Sequence, residues 1–228
     1  MGGPGFHMPV ASCFQPLSFR IIDHHFQDPG FRMPYSHISD YPADLLERAA
    51  RVRLACFDVD GTLTDGRLIF DSEGRESKAF HVRDGLGLAL LRKAGIEIAF
   101  ITARSSPIVE RRARELGVRA CTKVGDKLAC VGGIAAELGI DMQAVAFMGD
   151  DLVDLSALQV AGLSVAPADA HAWVRERVHW RTVANGGAGA ARELCDLILA
   201  AQGKAEAALN DAMRSQTPSA QLAATEGQ

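Results

Sequence analysis

The chain has 228 residues, 48% of them apolar and 23% charged, with a formal net charge of −4. That length suits one medium domain with extensions and buries an ample core. The acidic balance gives no support to a general nucleic-acid binder, whose footprint is basic, and no apolar run reaches the ~18–20 residues that span a bilayer. Five cysteines (Cys13, Cys56, Cys121, Cys130, Cys195) make an odd number without a C-x-x-C pair. That pattern favours free thiols in a reducing compartment over a disulfide framework. The N-terminus lacks a basic start followed by an apolar stretch, so no secretory signal is read and a cytoplasmic location is expected.

Residues 1–41 hold four of the seven histidines and scattered aromatics, Gly and Pro, without a sustained period of 2 or 3.6. A poorly ordered N-terminal extension is expected there. His24-His25 finds no partner ligands at fixed spacing and is read as a polar pair; Met33 is a candidate natural start. A short helix, Ala43 to Ala50, leads into a buried strand from Val52 to Phe57. The strand ends in Asp58-Val59-Asp60-Gly61-Thr62, two carboxylates two apart before a glycine that lets the backbone turn. Arg67 to Phe70 and Ser77 to Val82 flank the turn residues Asp71-Ser72-Glu73-Gly74 and read as a β-hairpin. Arg83-Asp84-Gly85 starts a helix that ends at Gly95.

A second buried strand, Ile96 to Ile101, ends in Thr102-Ala103-Arg104. A helix with Pro107 near its start runs to Leu116-Gly117. A brief strand at Val118 to Thr122 precedes Asp126-Lys127 and a helix to Leu138. The third strong strand, Ala144 to Met148, ends in Gly149-Asp150-Asp151-Leu152-Val153-Asp154. Beyond it come a strand at Gly162 to Ala166, a helix from Asp169, a strand near Val178 to Trp180 and a helix from Gly189 to Ala201. From residue 203 the chain is Ala-rich and polar, and a mobile C-terminal tail is expected. Strands alternating with single helices imply right-handed βαβ units and a mainly parallel sheet.

In such a sheet the carboxyl ends of the strands share one edge. Asp58, Asp60, Thr102, Lys127, Asp150 and Asp151 would therefore gather into one crevice. Carboxylates that close repel each other or take up protons, and a hard divalent cation with oxygen ligands resolves the conflict; Mg²⁺ beside a phosphate is the standard case.

Asp58-x-Asp60-Gly-Thr, Thr102, Lys127 and Gly-Asp150-Asp151-x-x-Asp154 resemble the four motifs of the haloacid dehalogenase-like phosphohydrolases. Within them the likeness is to phosphatases of 3-deoxy-D-manno-octulosonate 8-phosphate. It extends through Leu63-Thr64-Asp65-Gly66, Phe80 to Gly85 and Gly187 to Glu193, and covers about Val52 to Gln202. The resemblance implies a Rossmann-like three-layer α/β sandwich over residues 42–202, with a β-hairpin after the first strand. Cap domains of the superfamily sit on either side of the second motif, but neither gap around Thr102 holds a domain, so no cap is expected.

The resemblance further implies that Asp58 is the nucleophile, forming an aspartyl-phosphate, and that Asp60 is the general acid and base. Thr102 and Lys127 would balance phosphoryl charge. Asp58, Asp150 and the backbone carbonyl of Asp60 would hold Mg²⁺, with Asp151 and Asp154 orienting the metal's water and Lys127. His81, Val82, Arg83, Asp84, Gly85, Arg104, Arg112, Asp60 and Lys127 are implied substrate contacts. Arg104 and Arg112, eight residues apart and read as sharing a face, suit a sugar acid that carries both phosphate and carboxylate. Ala103 departs from the glycine more usual at that position and adds a methyl near the phosphate. The apolar residues of the 67–82 hairpin exceed what one subunit can bury, and a homotetramer is implied. The implied product feeds lipopolysaccharide inner-core synthesis. A phosphatase for 2-keto-3-deoxynonulosonate 9-phosphate and a non-catalytic oligomerisation module of the same fold remain open at this point, whereas a phosphomutase would need the missing cap.

Overall fold

The computed structural model describes residues 41–214. The expectations for the extension, for His24-His25 and for Met33 fall outside the described residues. The elements run in chain order: α1 (Ala43–Ala50), β1 (Leu54–Phe57), β2 (Ile69–Phe70), β3 (Glu76–Ser77), α2 (Val82–Lys93), β4 (Glu97–Ile101), α3 (Pro107–Leu116), β5 (Arg119–Cys121) and α4 (Lys127–Glu137). They continue as β6 (Val145–Met148), α5 (Leu155–Val160), β7 (Leu163–Ala166), α6 (Ala172–Arg175), β8 (Trp180–Arg181), α7 (Ala190–Ala201) and α8 (Ala205–Arg214).

Six strands form one parallel sheet in the order β5-β4-β1-β6-β7-β8, and β2 with β3 forms the separate antiparallel hairpin. The chain moves outward from β1 through β4 to β5, then returns to β6 on the other side of β1. That reversal opens a crevice at the carboxyl end of β1, where open α/β sheets take their ligands.

Alternation along each strand feeds two cores. Ala55 and Phe57 of β1 pack with Phe100 and Met148 under α1, α2, α3 and α7, while Leu54 and Cys56 pack with Ile101 and Phe147 under α4, α5 and α6. Both faces of the central strands are therefore apolar, as buried parallel strands require, and three layers result. The helix ends follow the sequence chemistry. Ser106 accepts from Val109 N ahead of Pro107 at the first position of α3, Gly117 closes that helix at φ 66°, and Asp126 accepts from Ala129 N at the start of α4.

Three expectations need correction. The hairpin strands are two residues each. Consequently α2 begins at Val82, the residue expected to end the second hairpin strand, and Arg83, Asp84 and Gly85 fall in its first turn. The expected tail opens with a ten-residue helix, α8, tied down by Lys93–Asp211 at 3.0 Å and by Lys204 Nζ donating to Ala94 O at 2.8 Å. Residues 215–228 fall outside the described range.

Candidate active site

Asp58 follows the last residue of β1, and its N–H still donates to Met148 O of β6 at 2.8 Å. The ladder thus carries the carboxylate to the centre of the edge before the chain turns. Gly61 makes that turn at φ +96°, and a Cβ there would lie 2.1 Å from Asp150 Oδ2. Only glycine lets the loop after β1 close against the loop after β6. Gly186 backs this loop just as tightly, since its Cβ would sit 1.8 Å from Gly61 O.

The Lys127 ammonium, at the first position of α4, meets Asp58 Oδ1 at 2.5 Å and also pairs with Asp154 Oδ1. The three side chains are 4%, 8% and 1% exposed respectively. Burial works to lower the Lys127 pKa, but the Asp58 and Asp154 carboxylates outweigh it and hold the ammonium charged, above its ordinary range. The other oxygen of Asp154 accepts from the N–H groups of Asp150 and Asp151, each at 3.1 Å. Both oxygens of Asp154 are thus committed, one to Lys127 and the other to the Asp150 loop. Asp151 caps the short turn Leu152–Asp154.

Asp150 accepts from Thr62 Oγ1 at 3.0 Å, and oxygens of Asp58, Asp150 and Asp154 all lie within 4.8 Å of one another. Burial first, then Asp154, pushes the Asp58 carboxyl well above its ordinary range in spite of Lys127. Three converging carboxylates against one ammonium leave excess negative charge. Hard oxygen donors with such an excess fit a hard divalent cation, which Asp58 and Asp150 have free oxygens to hold.

Burial, followed by Asp154, also pushes Asp150 up from 3.8 to about 6. The folded protein therefore keeps a proton that the unfolded chain has released, and this group's stabilising contribution is lost as pH rises through that window. Cation binding requires the ionised form. A divalent cation is therefore expected to raise the thermal midpoint more at about pH 7 than at about pH 5; thermal unfolding at both values, with and without the cation, checks this, and equal shifts would contradict it.

Thr102 follows the last residue of β4 and is 1% exposed. Its Oγ1 accepts from Arg104 N at 3.1 Å, which leaves the hydroxyl proton free to donate into the crevice. Arg104 lies in the loop before α3 and not on that helix, so the shared face expected for Arg104 and Arg112 does not exist. Arg112 instead stacks with its Cζ 5.7 Å from the centre of the Phe80 ring and close against Gly85, where a Cβ would fall 2.2 Å from its Nη2. His81 precedes α2, and its Nδ1 is buried without a hydrogen-bond partner among the described residues, as is Arg104 Nε. Buried polar nitrogens left open in this way suit a polar ligand. Val82 and Arg83 are exposed, on the outer side of the first turn.

Asp84 points elsewhere. It is 2% exposed and accepts from Gly189 N at 3.3 Å and Arg192 N at 2.8 Å, so it caps the start of α7 from α2. Burial raises its pKa against those bonds.

Sequence reasoning passed over Lys78 and Glu76. Lys78 pairs with Asp60 Oδ1 and Glu76 accepts from Arg104 Nη2 at 3.0 Å, so the hairpin reaches into the crevice. The available signal was their spacing of two on an extended segment, which puts both on one face beside the motif residues.

The chain is similar to known proteins in both sequence and fold. Residues 81–162 match the haloacid dehalogenase-like hydrolase family. The 3-deoxy-D-manno-octulosonate 8-phosphate phosphatase of Yersinia pestis is 42% identical over 76% of this chain and 92% of its own length. A hypothetical protein from Xanthomonas campestris is similar in structure at a TM-score of 0.76 and 56% identity, covering 78% of this chain and 98% of that one. The 3-deoxy-D-manno-octulosonate 8-phosphate phosphatase of Moraxella catarrhalis, solved with magnesium, phosphate and the sugar acid, matches at a TM-score of 0.73 and 41% identity over 75% of this chain and 99% of its own. By sequence and by fold, this chain belongs to the haloacid dehalogenase-like hydrolases and, among them, to the 3-deoxy-D-manno-octulosonate 8-phosphate phosphatase family.

Proposed function

We propose that the chain hydrolyses 3-deoxy-D-manno-octulosonate 8-phosphate to the free sugar acid and inorganic phosphate, a step that feeds lipopolysaccharide core synthesis. The observation that carries the reading is the buried Asp58–Lys127–Asp154 cluster facing Asp150 at the carboxyl end of β1. Asp58 attacks phosphorus in line, and the sugar oxygen leaves as the aspartyl-phosphate forms. Asp60 gives that oxygen its proton, then takes one from the water that attacks phosphorus in the second step and frees Asp58. Thr102 donates to a phosphoryl oxygen, and Lys127 opposes the charge that grows on the others.

Mg²⁺, held by Asp58, Asp150 and the Asp60 carbonyl, supplies charge neutralisation of the phosphoryl group. Asp151 and Asp154 steady that centre from outside it. His81, Arg104 and Arg112 read the anionic sugar acid, and the open His81 Nδ1 and Arg104 Nε support that assignment. Val82, Arg83 and Gly85, in the first turn of α2 beside His81, are further substrate contacts in this reading. Asp84 contributes by fixing the first turn of α2 against α7.

Among the described residues no cap domain is inserted at the crevice: only the hairpin, α2 and β4 lie between Asp60 and Thr102, and only α3 and β5 between Thr102 and Lys127. Leu68, Ile69 and Phe70 of the hairpin are each about half exposed (51%, 49% and 55%). This supports a homotetramer in which neighbouring hairpins cover one another and wall the site. The free thiols of Cys56, Cys121, Cys130 and Cys195 support a cytoplasmic setting. No helix among the described residues is long and apolar enough to cross a membrane.

Steady-state phosphate release from the eight-carbon substrate and from 2-keto-3-deoxynonulosonate 9-phosphate, each with Mg²⁺ and with chelator, tests the reading. A higher kcat/KM for the eight-carbon ester, lost on chelation, is expected; preference for the nine-carbon ester would reassign the substrate.

A further inference from the structure

The hairpin delivers a chain of alternating charges to the crevice. The Lys78 side chain is 1% exposed; its ammonium pairs with Asp60 Oδ1 and lies 3.2 Å from Glu76 Oε1. The same Glu76 oxygen accepts from Arg104 Nη2 at 3.0 Å. An ammonium this buried is tolerable only while anions face it, and here Asp60 from the loop after β1 and Glu76 from β3 supply them. Glu76 and Lys78 are two residues apart on extended chain, so they present to the same side. The Asp60 carboxylate has no other hydrogen-bond donor among the described residues.

We propose that Lys78 is a positioning residue for Asp60. Its ammonium holds the carboxylate on the hairpin side of the crevice, within reach of the leaving oxygen. Without it the carboxylate would be free to turn toward the centre built by Asp58 and Asp150, where it would compete as a ligand instead of serving the proton transfer. Glu76 completes the device in two ways. It remains a counter-ion for the ammonium in the half-reaction during which Asp60 carries a proton. Through its bond to Arg104 it also aims the guanidinium whose Nε is open, so one strand end sets both the acid/base group and a substrate-reading group. The inference rests on Asp60 acting as acid and base, as proposed above.

The test is kcat/KM, which reports the step in which the leaving group departs, on phenyl phosphate and p-nitrophenyl phosphate. The two esters share a shape, but only phenolate needs a proton to leave readily. Lys78→Met is expected to lose about 10²-fold on phenyl phosphate, the order of a misplaced general acid, and less than about threefold on p-nitrophenyl phosphate. Lys78→Gln, which keeps a hydrogen-bond donor of similar reach, is expected to recover part of the loss. The ratio of the two rates on one sample does not depend on how much of the variant is folded, and Lys78→Gln supplies the ratio should Lys78→Met fail to fold. Equal losses on both esters, or no loss on either, would overturn the positioning role and leave the phosphatase reading intact. Failure of the unaltered protein with Mg²⁺ to hydrolyse either ester or the octulosonate would instead overturn the phosphatase reading and this inference with it.

Discussion

Replacing Asp58 by Asn is expected to abolish phosphate release, with kcat falling by at least about 10⁴-fold. The amide keeps the shape of the carboxylate and can still accept from Lys127, but it cannot attack phosphorus. The same change should leave the cation-free protein no less stable. Burial and the neighbouring Asp154 and Asp150 carboxylates hold the Asp58 pKa well up, so its ionised form is a burden on the folded state that grows as pH rises. Removing the charge removes the burden. Activity and stability therefore part company at this residue, as they do where a site is built for chemistry. A thermal midpoint measured beside the assay distinguishes a lost nucleophile from a lost fold. Residual turnover within about tenfold of wild type would remove Asp58 from the mechanism.

Lys127→Met should act on both quantities in the same direction. Methionine fills nearly the same space, so what disappears is the charge between two buried carboxylates. Breaking a buried pair from one side costs about 3–5 kcal/mol, which for a domain of this size lowers the midpoint by roughly 10 °C. Loss of one preorganised charge beside the phosphoryl group takes a further factor of about 10²–10³ from kcat. Mg²⁺ supplies positive charge to the same cluster and should restore part of the stability without restoring the rate. Thermal unfolding of the variant with and without Mg²⁺, set beside its kcat, checks both halves; a deficit that the cation leaves unchanged would mean that packing, and not charge, sets the cost.

The sheet and most helices were legible because their signals are local and repeated. Buried strands such as Phe57's and Phe147's are short apolar runs, and Ser106-Pro107 with Gly117 brackets α3 by cap chemistry alone. The motif residues were legible as a set because a parallel sheet brings strand ends to one edge whatever lies between them. Asp84 was harder to read. Its carboxylate caps a helix that starts 105 residues away, at Gly189, and nothing nearby in sequence marks that partner. Lys78 was missed for a related reason: an isolated lysine in a hairpin reads as solvated, and only the fold closes it over Asp60. The α8 helix was taken for tail because alanine-rich polar sequence has helical propensity in either setting; its docking to Lys93 and Ala94 decides the outcome.

The covalent route through Asp58 can be read from stereochemistry at phosphorus. The octulosonate ester of an isotopically chiral thiophosphate, hydrolysed in water of the third oxygen isotope, yields an inorganic thiophosphate whose handedness records the number of in-line displacements. Attack by Asp58 followed by attack of water gives two displacements and net retention. Net inversion would mean that water attacks the ester directly, and would contradict a nucleophilic Asp58.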